Sequence, residues 1–307
     1  MRAKEDPLKL LILDHEEEAY GFFADLLAKV GLSKRRQMKS LLLGTFIMSL
    51  LDSRRWAWKL NTLDSMVKEY WLFVSHVGDM DRDIDLFTNE EYLETAIEDT
   101  EKLVRLSDAN RLSLVDSIRL YASFLLSLPI SSSLKIFARY ISSYALDKLV
   151  LLLDEEGYFR KAHLFGKLFV SVKLGLDPLS LARLALMTFP LSNQRLANKY
   201  LFLLVKVLGI WEDVSLEDMH CPVDPTFLRV ARRVGLIRGR RPATLYGGQM
   251  YNLIQSIARG MFPEDPSKLY VLRYVGEVYC TPRHMRCEDC WLFGVCKTYL
   301  TDAKEGV

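Results

Sequence analysis

Four of the five cysteines of this 307-residue chain lie within one short stretch. Their spacing is C-x6-C-x2-C-x5-C, at positions Cys280, Cys287, Cys290 and Cys296. A close C-x2-C pair flanked by two wider thiolates can wrap one compact metal centre. Zinc sites usually combine two C-x2-C pairs that are about a dozen or more residues apart. The spacing therefore favours an iron–sulfur centre, while a zinc site and four unrelated buried thiols stay open as alternatives.

The cysteines lie in a basic part of the chain. Residues 220–300 carry 12 Lys and Arg against 6 Asp and Glu, or +6, although the net charge of the whole chain is only +2. The remaining residues carry 29 Lys and Arg against 33 Asp and Glu, or −4. Positive charge concentrated around a metal centre predicts contact with a polyanion such as nucleic acid.

One carboxylate stands where it could take part in chemistry. Asp224, in CPVDPTFLRVARRVGL, is followed by a proline and an apolar run of helical period, which predicts a helix N-cap. Amides at a helix N-terminus favour an ionised carboxylate, and this form suits stabilising a positive sugar or activating a nucleophile. The alternative is a cap with no other role.

A candidate nucleophilic amine lies upstream, in the helical stretch NQRLANKYLFLLVKVLG. Lys199 shares one predicted helix face with Arg195, Phe202 and Lys206. A lysine attacks only as the neutral amine, and neighbouring cations favour that form by lowering its pKa. The alternative is a basic face that simply contacts solvent.

Helices must position these groups, because nearly every segment of the chain has a helical period. No Asn-Gly or Asp-Gly pair separates two alternating runs, so the prediction is an all-α fold. Three Asp-Pro pairs, which begin at Asp177, Asp224 and Asp265, each predict a helix start. The apolar runs are too short for a bilayer span and no signal peptide is evident, so we expect a cytoplasmic protein without a membrane partner.

The cysteine spacing resembles that of the endonuclease III type of DNA glycosylase, in the helix-hairpin-helix superfamily. In that family four thiolates hold a structural [4Fe-4S] cluster, and the loop between the first two cysteines presents basic residues to DNA phosphate. The matching loop here is TPRHMR, with Arg283 and Arg286. The stretch around Asp224 resembles the family's Val-Asp pair, and this implies that Asp224 is the catalytic carboxylate.

The resemblance also implies a nucleophile for strand cleavage. Bifunctional members of the superfamily attack the sugar with an early lysine of the helix that follows a glycine-rich hairpin. Archaeal relatives that handle oxidised guanine have a similar helix, and matching its end to Lys206 and Gly209 assigns the nucleophile to Lys199. Counting back from Gly209 along endonuclease III reaches Asn198 instead, so the position is open by one residue.

The family's glycine-rich hairpin is not present in FPLSNQRLANKYLF. Ser192 and Asn193 are expected to form the turn, because Asn tolerates left-handed backbone geometry. Whether a turn without glycine still binds phosphate is open.

A glycosylase must flip the damaged nucleotide into a pocket. The stretch MSLLDSRRWAWKLNTL lies where the family approaches the flipped nucleotide, and it offers Asp52, Ser53, Arg54 and Trp56. Packing of Trp56 in the core is the alternative. The residues expected to contact DNA are Arg195, Asn198, Arg283, Arg286 and Lys297.

The implied architecture is two helical lobes with a DNA-binding cleft between them. Residues 1–33 with 220–307 would form the lobe with the cluster loop and the catalytic Asp, and residues 34–219 a helical barrel with the degenerate hairpin and Lys199. The implied function is a monomeric DNA repair glycosylase with lyase activity, acting on damaged double-stranded DNA in the cytoplasm or on the nucleoid. Two alternatives are a non-catalytic iron–sulfur protein that binds DNA and a zinc-bound RNA-binding module.

Overall fold

The protein is all-α, as the sequence predicts. The computed structural model describes residues 6–34, 36–54, 62–100, 103–153, 159–237, 248–282 and 285–296. Within these ranges there are thirteen α-helices and no strand. None of the helices in the described part is long and apolar enough to cross a bilayer.

The helices are numbered here in chain order. Their bounds are α1 Pro7–Asp14, α2 Glu16–Lys29, α3 Met38–Arg54, α4 Leu63–Val77, α5 Glu90–Glu98, α6 Asp108–Ser127, α7 Leu134–Asp147, α8 Ala162–Leu174, α9 Pro178–Thr188, α10 Gln194–Phe202, α11 Pro225–Arg233, α12 Gly248–Met261 and α13 Val271–Val278. A π-helical segment, Leu203–Val207, continues α10. A 3₁₀ turn, Pro266–Tyr270, precedes α13.

All three predicted Asp-Pro helix starts are confirmed. Asp177 caps α9 and Asp224 caps α11, each by accepting a hydrogen bond from the amide three residues later, at 2.8 and 2.9 Å. Asp265 caps the 3₁₀ turn before α13 and accepts an amide hydrogen bond of 3.1 Å. Asp6 caps α1 in the same way, which the sequence analysis did not identify. Each carboxylate satisfies an amide that has no partner within the helix.

The chain divides into two compact units. Unit 1 combines Met1–Phe23 with Ser215–Val307, and unit 2 comprises Ala24–Val214. The site residues fall on both sides of this division, with Asp224 and the cysteines in unit 1 and Lys199 in unit 2. The roles expected of the two lobes stay predictions.

An aromatic cluster forms the centre of unit 2. Phe46 of α3 stacks on Tyr121 of α6 with ring centroids 4.0 Å apart, and Tyr200 of α10 meets both rings edge-on at 6.0 Å. The hydroxyls of Tyr121 and Tyr200 are hydrogen-bonded to each other. Burial of these rings stabilises the packing of α10 against α3 and α6. The helix that carries Lys199 is therefore rigidly held.

In unit 1, α11 packs closely against α13. Gly276 of α13 has no side chain, and a Cβ atom at this position would lie 2.5 Å from Thr226 Cγ2 and 3.1 Å from the Thr226 carbonyl oxygen. Such distances are too short for any other residue without a shift of the backbone. Gly276 therefore allows the two helices that flank the cysteines to approach each other.

Candidate functional site

The four clustered cysteines line one cavity of unit 1. The cavity has a volume of about 70 Å³, and its wall is otherwise largely apolar, with Val230, Val275 and Leu292. All four thiols are free of disulfide bonds. The fifth cysteine, Cys221, is fully buried away from this cavity.

Tight turns bring the cysteines to the cavity. The amide of Cys280 donates to the carbonyl of Val275 at 2.8 Å, so the first cysteine directly continues α13. An antiparallel bridge between Cys280 and Met285 then closes the first loop. The amide of Cys290 donates to Cys287 at 3.2 Å, and that of Cys296 donates to Leu292 at 2.9 Å. Short-range hydrogen bonds of this kind hold the backbone at the cysteines.

Two arginines of α11 contact the first cysteine. Arg229 donates from Nε to the Cys280 carbonyl at 2.8 Å and from Nη2 to the Gly276 carbonyl at 2.7 Å. Arg233 donates from Nη1 to the Cys280 sulfur at 2.6 Å. Both guanidinium groups are partly buried, so they belong to the wall of the cysteine site and not to an open basic surface.

A zinc ion and a four-iron cluster require different arrangements of four cysteine thiols. A tetrahedral zinc ion holds its sulfur ligands at about 2.3 Å, so four thiols must converge on one point. Among the described residues, no three His, Cys, Asp or Glu side chains are placed to hold a single ion. Four thiols around one apolar cavity fit the larger four-iron cluster better. The presence of a metal at this site, and its identity, stay predictions.

The thiol of Cys290 shows the electrostatic cost of this arrangement. Burial raises its pKa to about 11, and the nearby thiols of Cys280, Cys296 and Cys287 raise it as well. A bound cationic centre offsets both effects, because coordinated thiols lose their protons.

Asp224 is held on all sides by protein groups. Its Oδ1 accepts from the Phe227 amide at 2.9 Å, while its Oδ2 accepts from the Tyr270 hydroxyl at 2.6 Å and from Arg273 Nη1 at 2.7 Å. Arg273 also donates to Glu277 at 3.1 Å. Burial alone would lower the pKa of Arg273, but the carboxylates of Asp224 and Glu277 raise it above its usual range. The Asp224 carboxylate is therefore fixed by three groups, the Phe227 amide, the Tyr270 hydroxyl and Arg273.

Lys199 is buried in unit 2 and forms an ion pair with Asp52. The Lys199 Nζ contacts Asp52 Oδ2, and the two side chains are only 5% and 2% exposed. The alternative of a solvent-facing lysine is therefore wrong, although Arg195 and Lys206 on the same helix are partly exposed. Two residues predicted from separate parts of the sequence, one for the base pocket and one for the nucleophile, thus lie together.

Asn198, the neighbouring candidate, is engaged elsewhere. Its Oδ1 accepts a 2.7 Å hydrogen bond from Arg183 Nε, and both side chains are buried. Lys199 is therefore the residue at this place that offers an amine. The π-helical segment Leu203–Val207 follows directly, and such segments are frequent at functional sites.

The turn before α10 is built differently from the prediction. Asn193 has φ −147°, so it is extended and not left-handed, and its side chain caps α10 through the Leu196 amide. The turn is fixed instead by Lys161, which precedes α8. The Lys161 ammonium donates to the carbonyls of Met187 at 2.7 Å and Ser192 at 2.8 Å, and also to that of Phe189. No sequence motif pointed to Lys161.

Among the remaining candidates, Arg286 lies in the described part of the chain. Arg286 is exposed, pairs with Asp289 at 3.0 Å and lies over the Tyr279 ring. The residues that lie outside the described part of the chain are Arg283, Lys297 and Trp56, together with the side chains of Ser53 and Arg54.

Comparison with family models, curated proteins and solved structures found no match to this chain. The resemblance to DNA glycosylases therefore rests on the motifs of this sequence alone.

Proposed function

We propose that the protein is a DNA repair glycosylase with associated lyase activity, and that Lys199 is its nucleophile. The observation that carries the proposal is the buried pair of Lys199 and Asp52. Burial disfavours charge, and a carboxylate in contact with an ammonium group can accept its proton. Asp52 is therefore placed to accept the proton that Lys199 must lose before it attacks as the neutral amine.

The chemistry follows from the neutral amine. The Lys199 nitrogen attacks C1′ of the damaged nucleotide, and the glycosidic bond breaks. The electron pair of the glycosidic bond leaves with the base, which takes up a proton. Opening of the sugar ring then gives a Schiff base between Lys199 and C1′. Elimination of the 3′ phosphate from this Schiff base cleaves the strand.

Asp224 has a supporting role in this proposal. Its ionised carboxylate would stabilise positive charge that develops on the sugar as the base departs. The helix N-terminus, Tyr270 and Arg273 hold this carboxylate in one position. Fixed charge of this kind needs no reorganisation during the reaction.

The proposed partner is double-stranded DNA with one damaged base, bound by a monomer in the cytoplasm or on the nucleoid. Arg195, Arg283, Arg286 and Lys297 are the proposed phosphate contacts, and we leave out Asn198 because it is buried against Arg183. Replacing Arg283 and Arg286 together with Ala should weaken duplex binding and reduce its salt dependence by roughly one unit of slope per lost contact. An unchanged salt slope in a fluorescence-anisotropy titration would contradict this assignment.

The proposed cofactor is a [4Fe-4S] cluster held by Cys280, Cys287, Cys290 and Cys296. It would brace the loop that contains Arg283 and Arg286, and no chemical step is assigned to it. Iron and sulfide analysis with a visible absorption spectrum distinguishes this cluster from zinc, which has no such absorption.

The alternative is an iron–sulfur protein that binds DNA without catalysis. One observation favours it: both oxygens of Asp224 are engaged by protein groups, as expected for a purely structural cap. Excision of a base from any DNA substrate excludes this alternative.

Borohydride trapping tests the proposal. Wild-type protein is incubated with duplex oligonucleotides that each carry one damaged base, and a covalent complex is expected with at least one of them. Lys199→Gln should abolish trapping, while Lys167→Gln, at an exposed site on α8, should leave it unchanged. Circular dichroism verifies folding, and the double variant Asp52→Asn with Lys199→Gln is used if the single variant unfolds. If the Lys199→Gln variant still forms the covalent complex, Lys199 is not the nucleophile. If wild-type protein forms no covalent complex with any duplex, the result favours the protein that binds DNA without catalysis.

A further inference from the structure

Helix α11 joins the candidate carboxylate to the cysteine site. Asp224 caps its first turn, and Arg233 in its last turn reaches the cavity. Arg229 contacts only the backbone around Cys280, whereas Arg233 Nη1 donates directly to the Cys280 sulfur at 2.6 Å. Cys280 is thus the cysteine whose sulfur receives a charged hydrogen bond from this helix.

A guanidinium group at this distance changes the properties of a sulfur ligand. It donates a charge-assisted hydrogen bond to the sulfur and so holds that sulfur in place. It also places a positive charge beside a partly buried apolar cavity, where solvent screening is weak. The reduction potential of an iron–sulfur cluster depends on net charge and on hydrogen bonds to its sulfurs. Positive charge and donated hydrogen bonds both favour the reduced cluster, which has one more electron.

We propose that Arg233 is a positioning residue for the cluster: it holds the Cys280 sulfur, raises the reduction potential of the cluster and slows loss of iron to a chelator. This inference rests on the [4Fe-4S] cofactor of the proposed function, and it is independent of whether the protein excises a base.

Three variants test the inference on purified protein without DNA. Arg233→Gln removes the charge and the contact, Arg233→Lys keeps the charge, and Arg232→Gln removes the same charge from the preceding position on another face of α11. The potential is measured by an electrode titration that adds one electron to the cluster. Cluster loss is measured by the decay of visible absorption at neutral pH in the presence of an iron chelator.

We expect Arg233→Gln to lose its cluster about tenfold faster than wild type, the size of one charge-assisted hydrogen bond. A tenfold change in the relative stability of the reduced cluster lowers a one-electron potential by about 59 mV. Arg233→Lys should lie between this variant and wild type, and Arg232→Gln should stay close to wild type.

Equal shifts for Arg232→Gln and Arg233→Gln would overturn the inference, because the effect would then be one of net charge and not of the sulfur contact. Unchanged potential and decay in Arg233→Gln would overturn it as well. If the Arg233→Gln variant does not fold, the Arg233→Lys variant is used instead. A wild-type reduction potential and a wild-type rate of cluster loss in Arg233→Lys would then overturn the inference. If purified wild-type protein contains no iron, the proposed cofactor is wrong. This outcome is distinct from those that overturn only the role of Arg233.

Discussion

The ion pair of Lys199 and Asp52 has an energetic cost that helps to define its role. Removing two charges from water is costly, and removing one member of a buried ion pair is strongly destabilising. A protein gains little stability from such a pair compared with apolar residues of the same size. Its presence on buried faces of α3 and α10 is therefore better explained by chemistry than by stability.

This reasoning predicts the outcome of a double-mutant cycle. Lys199→Gln and Asp52→Asn should each lower the free energy of unfolding by about 3–5 kcal/mol, because each removes one member of a buried ion pair. The double variant should recover most of that loss. Urea denaturation followed by circular dichroism measures all four proteins. Additive losses in the double variant would show that the two charges do not interact.

At the scale of single residues, the sequence identified groups but not their partners. Asp52 was predicted for a base pocket and Lys199 for nucleophilic attack, and their contact depends on how α3 packs against α10. Tyr270 and Arg273 show the same limitation, because they reach Asp224 only through the packing of α13 on α11. Local spacing contains no information on such contacts between distant segments.

At the scale of elements, the turn between α9 and α10 shows how a chain can replace glycine. The Lys161 ammonium satisfies carbonyls of Met187, Phe189 and Ser192 that otherwise point into the turn. The helix starts nearby were predictable because an Asp N-cap followed by proline acts within three residues. The contribution of Lys161 was not, since it comes from the start of α8.

Removing this ammonium should loosen the turn. Lys161→Met loses charge-assisted hydrogen bonds, and we expect a loss of about 2–4 kcal/mol in the free energy of unfolding. Amide exchange should accelerate in the first turn of α10. Lys167→Met on the exposed side of α8 is the control and should change stability by less than about 0.5 kcal/mol. Equal behaviour of the two variants would mean that Lys161 does not hold the turn.

The close approach of α11 and α13 gives a second prediction for an element. In Gly276→Ala the new methyl group would meet Thr226, and overpacking of this kind costs about 1–3 kcal/mol. The matched control is Gly260→Ala on α12, where a Cβ has no neighbour within 4 Å. This control should be neutral or stabilising, because alanine favours helix by about 1 kcal/mol over glycine. Thermal unfolding of both variants measures the difference, and equal melting temperatures would contradict the packing argument.

At the scale of the whole molecule, the helical period of the sequence was enough to predict an all-α fold. The cysteine spacing indicated one local site, and the four thiols do line one cavity. The contacts of the α11 arginines could not be predicted from the sequence, because they depend on how the segments pack. Arg229 donates to the Cys280 carbonyl, and Arg233 donates to the Cys280 sulfur. A charge count along the chain does not distinguish arginines that would contact DNA from those that contact the cysteines.

The division into two units predicts which helices would be affected by loss of the proposed cofactor. The cysteines, α11 and α13 all belong to unit 1, and Arg229 and Arg233 connect α11 to Cys280. Removing iron with a chelator under oxidising conditions leaves four thiols without a cation, and their solvation or repulsion should open the loop. Hydrogen exchange should therefore increase in α11 and α13, by at least tenfold if the cluster stabilises them by 1.4 kcal/mol or more. Helices α3 and α10 of unit 2 serve as the internal control. An equal increase of hydrogen exchange in α3 and α10 would show that the proposed cofactor does not stabilise α11 and α13 specifically.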